Sequence, residues 1–224
     1  MGERIVTPAH HPQAETLLSF AAGALTAGPR LVVATHIAGC PECRRVARGF
    51  EAVGGALLEA APAAQGSPEL LMRALGRLEA ASASAPRGAA GAPPPPRPPD
   101  LHDIPAPLRH HAIGPWRRVA PGFRISRVAI PEDRAANVIL LRVGAGCPVP
   151  RHTHEGVEYT QVLSGAFSDV LGHYGPGDCI EAGDDVDHQP IVDLDGECIC
   201  LAAVEGRLRL HSFVARLIQP FFGL

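Results

Sequence analysis

Lysine is absent from this chain of 224 residues; all 20 basic side chains are arginine, and 23 acidic ones leave a formal charge of -3. Such a balance provides no chain-wide positive field, so direct binding to phosphate backbones is not expected. There is no uninterrupted apolar run of the roughly 18 residues that a membrane span needs. The first residues also lack the charged start, apolar core and small-residue cleavage site of a secretory signal, and the expected location is the cytoplasm. Six cysteines are too few for a disulfide scaffold. In a reducing compartment a CxxC spacing is read first as a metal or redox site. No internal repeat is visible.

Ala, Gly and Pro are abundant throughout. From Ala14 to about Ala81 the apolar spacing is helical, and strand alternation is missing. Leu17, Leu18, Phe20 and Ala21 form one face. Pro29 suits the first turn of a second helix and Pro41 that of a third, while Ser67-Pro68 has the form of an N-cap and first turn of a fourth. Leu71, Ala74, Leu75 and Leu78 make an apolar stripe on that last helix. Between Ala83 and Pro99 periodicity stops, and the run Pro93 to Pro96 must be extended, as in a linker. Beyond it lie short segments of strand character at Val138 to Val143, Tyr159 to Leu163, Cys179 to Glu181, Ile191-Val192 and Cys198 to Val204. The expected fold is α+β in two domains. A small four-helix metal-binding domain occupies residues 1–82, a linker 83–105, and a β-sandwich or small barrel 106–224.

Each part carries its own set of metal ligands. His36, Cys40 and Cys43 fall at i, i+4 and i+7, on one face if the backbone stays near-helical through Gly39-Cys40-Pro41. Two thiolates with imidazole suit structural zinc, which needs a fourth ligand. His10 and His11 are both placed to supply it, and spacing does not choose between them. The competing reading, a thioredoxin-like redox pair, needs a βαβ context that this segment lacks. In a segment of about 80 residues with a limited core, ligation free energy becomes folding free energy.

In the second part, Gly146, His152, His154, Glu158 and Gly165 fit the spacing G(x)5HxH(x)3E(x)6G. On a strand His152 and His154 share a face, to which Glu158 can return after Gly156. Gly177, Gly183 and His188 follow at a second, poorer spacing. Imidazole with carboxylate suits zinc, iron, manganese or nickel. His102, His110, His111, His173 and His211 have no ligand spacing. Cys198 and Cys200 would share one side of a strand beside Leu201, Ala202 and Ala203; buried packing is the expected reading and an oxidation sensor the alternative. Cys147 and Cys179 are left undecided.

These motifs carry resemblances. The stretches HHPQAETLLSFAAGAL, LVVATHIAGCPECRR and FEAVGGALLE resemble the zinc-binding anti-sigma factors of bacteria, of the ChrR type. The glycine, histidine and glutamate spacing resembles the first cupin motif, and ChrR-like proteins carry a cupin domain after a linker. The resemblance implies that His11 completes the zinc site with His36, Cys40 and Cys43. It implies a partner too, an extracytoplasmic-function sigma factor held away from core RNA polymerase. Release on an oxidative signal such as singlet oxygen would pass through the cupin part, with a metal on His152, His154, Glu158 and His188, and no catalysis is expected. The second motif lacks the usual Pro, second Gly and closing Asn, which puts borrowed cupin chemistry in doubt. The alternative is a metal-dependent cupin oxygenase fused to a zinc-binding docking module.

Overall fold

The computed structural model describes residues 7–64, 66–84, 95–98, 100–101 and 104–210. His102, His211 and residues 85–94 of the expected linker lie outside them. Four helices come first: α1 (Ala14–Ala21), α2 (Ala27–Gly39), α3 (Pro41–Ala60) and α4 (Pro68–Ser84). A 3-10 turn at Ala106–His110 then leads into eleven strands. These are β1 (Arg117–Ala120), β2 (Phe123–Arg127), β3 (Asn137–Val143), β4 (His152–His154), β5 (Glu158–Ser164), β6 (Phe167–Ser168), β7 (His173–Tyr174), β8 (Cys179–Ala182), β9 (Ile191–Val192), β10 (Cys198–Val204) and β11 (Leu208–Leu210).

The strands pair antiparallel into a six-stranded sheet, β1-β2-β3-β10-β5-β8, a two-stranded sheet, β11-β4, and a three-stranded sheet, β7-β6-β9. Both faces of the six-stranded sheet are covered. Side-chain alternation sends Val143, Val162, Cys198 and Cys200 inward, where they meet Phe167, Tyr174 and Val192 from the three-stranded sheet. The opposite side, with Val138, Leu140, Tyr159 and Leu201, packs against Leu17, Leu31, Val32 and Val33 of the helices. The near-continuous apolar run of β10, CICLAAV, follows from this double coverage.

The helical part therefore does not close a core of its own. Among the described residues, the apolar face of α2 is spent on the sheet and on the 3-10 turn, whose Leu108 is fully buried. Burying Leu31, Val32 and Val33 stabilises this junction by about 1.5–3 kcal/mol each. Close approach depends on Gly28. A Cβ there would stand 3.2 Å from Val138 Cγ2 and 3.3 Å from Ala203 Cβ. Two side-chain bonds reinforce the contact: Arg30 to Glu132 at 3.0 Å and Thr26 Oγ1 to Glu205 at 2.8 Å.

The other half of the helical part has no cover among the described residues. Every residue from Glu51 to Ala64 and from Gly66 to Ala81 is exposed. Val53, Leu57, Leu58, Leu70, Leu71, Met72, Leu75 and Leu78 thus stand in solvent, Leu57 at 69% and Leu58 at 77%. No helix among the described residues is long and apolar enough to cross a membrane.

Candidate functional site

The corner between α2 and α3 is built around sulfur. The helix does not run on through the motif, as one-face spacing required. Cys40 is extended, with φ -104° and ψ 108°, and serves at once as C-cap of α2 and N-cap of α3. Its N–H donates to His36 O at 2.8 Å, and its Sγ accepts from Cys43 N–H at 3.5 Å. Pro41 opens α3 because the first-turn N–H it lacks would be unpaired anyway. The Arg44 guanidinium donates to Ile37 O and Ala38 O, satisfying carbonyls at the end of α2.

Convergence of the ligands comes instead from the sharp turn, with the segment before α1 laid across it. His11 Nδ1 lies 3.4 Å from His36 Nε2, 3.5 Å from Cys40 Sγ and 3.3 Å from Cys43 Sγ. One ligand atom from each of the four falls within 4.8 Å of the others. His10 points elsewhere: its ring meets Asp178 Oδ2 at 3.1 Å and packs edge-on against Tyr174 at 4.6 Å. The His-His pair divides its work, one residue in the cluster and its neighbour clamped to the turn before β8.

The donor chemistry fits zinc. Burial and the nearby Cys40 push the Cys43 thiol up to about 12, and burial with the neighbouring His11 lowers His36. The Cys43 thiol and the His36 imidazole are thus held neutral. A divalent cation would reverse this by stabilising the thiolates.

The second cluster lies inside the barrel. His152 and His154 stand on β4 with Thr153 between them, and Glu158 opens β5. His188 is brought across by a β-bridge to His152. Glu158 Oε2 sits 3.3 Å from His152 Nε2, 3.7 Å from His154 Nε2 and 3.4 Å from His188 Nε2. All three Nδ1 atoms have acceptors: Pro150 O at 2.7 Å, Gly156 O at 3.0 Å and Asp169 Oδ2 at 2.9 Å, for His152, His154 and His188 respectively. Ligand atoms of His152, Glu158 and His188 lie within 4.8 Å of one another, while His154 stands outside that group with its Nε2 3.7 Å from Glu158 Oε2.

Two observations fit a metal here. His154 Nε2 is buried without a hydrogen-bond partner, an arrangement that costs free energy unless something unshown by protein atoms completes it. Burial also opposes charge on both Glu158 and His188, yet their mutual contacts win. Hydrogen bonds from His152 and His188 hold the Glu158 carboxyl well below its usual range, while those to Asp169 and Glu158 raise His188 to about 9. A buried carboxylate is being compensated by a proton where an ion could do the same.

Sequence spacing singled out seven of these side chains and the resemblance the eighth, His11, but neither found their supports. Asp169 is the main omission. It lies in the β6–β7 turn, its Oδ1 accepting from Leu171 N–H and Gly172 N–H, and its turn chemistry alone is visible in Asp-Val-Leu-Gly. Nothing in its spacing relates it to His188. Cys198 and Cys200 are buried, with Sγ atoms 3.6 Å apart, and the contact with Cys198 together with burial raises the Cys200 thiol well above its ordinary value. Such thiols behave as apolar packing. Cys179 is buried with its thiol likewise raised by burial, and Cys147 is half-buried. His173 is an exposed partner of Asp193 at 2.8 Å.

Comparison with known proteins agrees with both halves. The family model of the ChrR cupin-like domain matches residues 108–205. Anti-sigma-E factor ChrR of Cereibacter sphaeroides is 39% identical over 222 residues, covering 98% of this chain and 100% of that protein. A chain from the crystal structure of Rhodobacter sphaeroides SigE in complex with the anti-sigma ChrR superposes with a TM-score of 0.66 at 33% identity. It covers 88% of this chain and 98% of its own length. With a full-length relative at that identity, and with the helical cluster and the barrel following one another in the same polypeptide, the chain belongs to the ChrR family.

Proposed function

We propose that this protein is an anti-sigma factor. Residues 1–82 bind zinc through His11, His36, Cys40 and Cys43 and sequester an extracytoplasmic-function sigma factor in the cytoplasm. The cupin part, 106–224, holds zinc, iron, manganese or nickel on His152, His154, Glu158 and His188 and receives an oxidative signal such as singlet oxygen. The relatives named above support the assignment.

The single observation carrying it is the bare apolar surface of α3 beyond Phe50 and of α4. Clustered exposed apolar side chains mark protein interaction sites, and a leucine-bearing helix face is suited to a groove on a partner. Zinc would fix the α2–α3 corner from which that surface projects, and supply no chemistry beyond ligation. The cupin ligands are buried, the His154 side chain completely. That favours access by a small oxidant over a substrate-sized molecule, and so a sensing role over the oxygenase alternative.

Size-exclusion chromatography of the zinc-loaded chain with purified extracytoplasmic-function sigma factors tests the reading. A stable one-to-one complex that blocks sigma from core polymerase is expected. Failure to bind any sigma factor encoded beside or regulated with this chain would reject it.

A further inference from the structure

The ring of His36 reaches out of the helical part and into the sheet. Its Nδ1 lies 3.0 Å from Gly177 O and 3.1 Å from Gln161 Oε1, while Gln161 Nε2 donates to Val162 O at 3.2 Å. Both neighbours of Nδ1 are acceptors, so Nδ1 carries the proton and Nε2 keeps its lone pair. That bare nitrogen is the atom facing His11 Nδ1 at 3.4 Å. Gly177 turns its carbonyl toward the ring from a backbone φ of 93°, a conformation disfavoured for a residue with a side chain. Gln161 is buried, on the side of β5 that packs on α2. Three residues earlier, on the inward side of the same strand, stands Glu158.

We propose that Gln161, aided by the Gly177 carbonyl, is a positioning residue for the N-terminal zinc, so that the cupin half furnishes the outer shell of a metal ligated by the helical half. The proposal rests on the zinc reading above. It follows that parting the two halves strips His36 of both acceptors. The ring is then free to turn and to place its proton on Nε2, where it blocks ligation. Zinc retention is thereby tied to whether the halves are docked, and β5 forms the wall common to both clusters.

The test uses the full-length, zinc-loaded chain and a chromogenic chelator in excess, following the rate of zinc release. The phase belonging to this site is the one missing in Cys40→Ser. Gln161→Leu keeps the bulk and removes the acceptor; release is expected to quicken about tenfold, the low end for an outer-shell partner because the Gly177 carbonyl remains. Gln161→Glu restores an acceptor and is expected to release at close to the original rate. Arg30→Ala removes an exposed ion pair at the same junction, worth too little to part the halves, and is expected to leave the rate unaltered. After zinc removal, nitrogen-15 spectra of the His36 imidazole should show Nδ1 protonated in the original chain and a mixed tautomer in Gln161→Leu. A change of less than about twofold in Gln161→Leu, or equal acceleration by Arg30→Ala, would overturn the proposal. An original chain that retains no zinc overturns the zinc reading with it; zinc held normally by Gln161→Leu overturns this step alone.

Discussion

Asp169 shows how much a single oxygen can decide. Its Oδ1 is already engaged by two backbone N–H groups, leaving Oδ2 to accept from His188 Nδ1. In Asp169→Asn the turn keeps its acceptor, and the amide nitrogen is left facing His188. Two donors cannot face each other, so His188 must shift its proton to Nε2, the nitrogen aimed at Glu158. Metal affinity at the cupin cluster is expected to fall about 10- to 100-fold, with the N-terminal zinc unaffected. Metal analysis after equilibration with a buffered competitor checks this; full retention would mean that His188 is not a ligand.

Seven of the eight ligand-type side chains were legible because each class of ligand repeats at a spacing set by local geometry. Their partners were not. Asp169 meets His188 from 19 residues away and Gln161 meets His36 from 125 away, and no local period encodes contacts made by folding. His11 could be preferred to His10 only through resemblance; what separates them physically is that Asp178 and Tyr174 claim the His10 ring.

At the scale of elements, α2 and α4 both carry apolar side chains but have opposite fates. The face of α2 is buried on the sheet, whereas that of α4 has no cover among the described residues. Changing Leu71, Leu75 and Leu78 to Arg is expected to weaken sigma binding by about 2 kcal/mol or more for each residue at the centre of the interface. The melting temperature should hardly move, since exposed positions contribute about 0.5 kcal/mol or less to folding. Pull-down and thermal melts on the same samples separate the two effects; loss of both would place α4 in the fold instead of the interface.

Gly28 is the complementary case. Gly28→Leu drives a branched side chain against Val138 and Ala203, and is expected to push α2 off the sheet at a cost of about 1–3 kcal/mol. Denaturant titration would reveal the lower stability. The helices and the strands β3, β5, β8, β9 and β10 followed from the sequence, but β1, β2, β6, β7 and β11 did not, and neither did this docking. The apolar face of α2 reads the same whether its cover is a sister helix or a sheet 100 residues on, and the break at Cys40 was masked by ligand spacing that a continuous helix would also satisfy.

For the whole molecule, the shared core changes what zinc removal should do. Ligation cannot be the sole support of helices whose apolar residues are buried against a sheet. Chelation of the full chain is expected to open the corner around Cys40 and free the segment before α1, while Leu31 to Thr35 stay packed on the sheet. Hydrogen exchange should therefore quicken over residues 9–26 and 40–60 and remain slow over 31–35. Uniform protection after chelation would mean that no metal holds the corner; uniform loss would mean that the sheet contributes nothing to α2.

One geometric fact about α3 carries further than its length suggests. At about 1.5 Å per residue its 20 residues make a rod of roughly 30 Å, hinged where Cys40 breaks the helix and loaded at its far tip with Leu57 and Leu58. A swing of about 10° at that hinge carries the tip through roughly 5 Å, about the pitch of one helical turn. A displacement too small to unseat any buried side chain near the sulfur atoms is thus magnified, at the free end, into a mismatch with whatever surface the leucines had engaged.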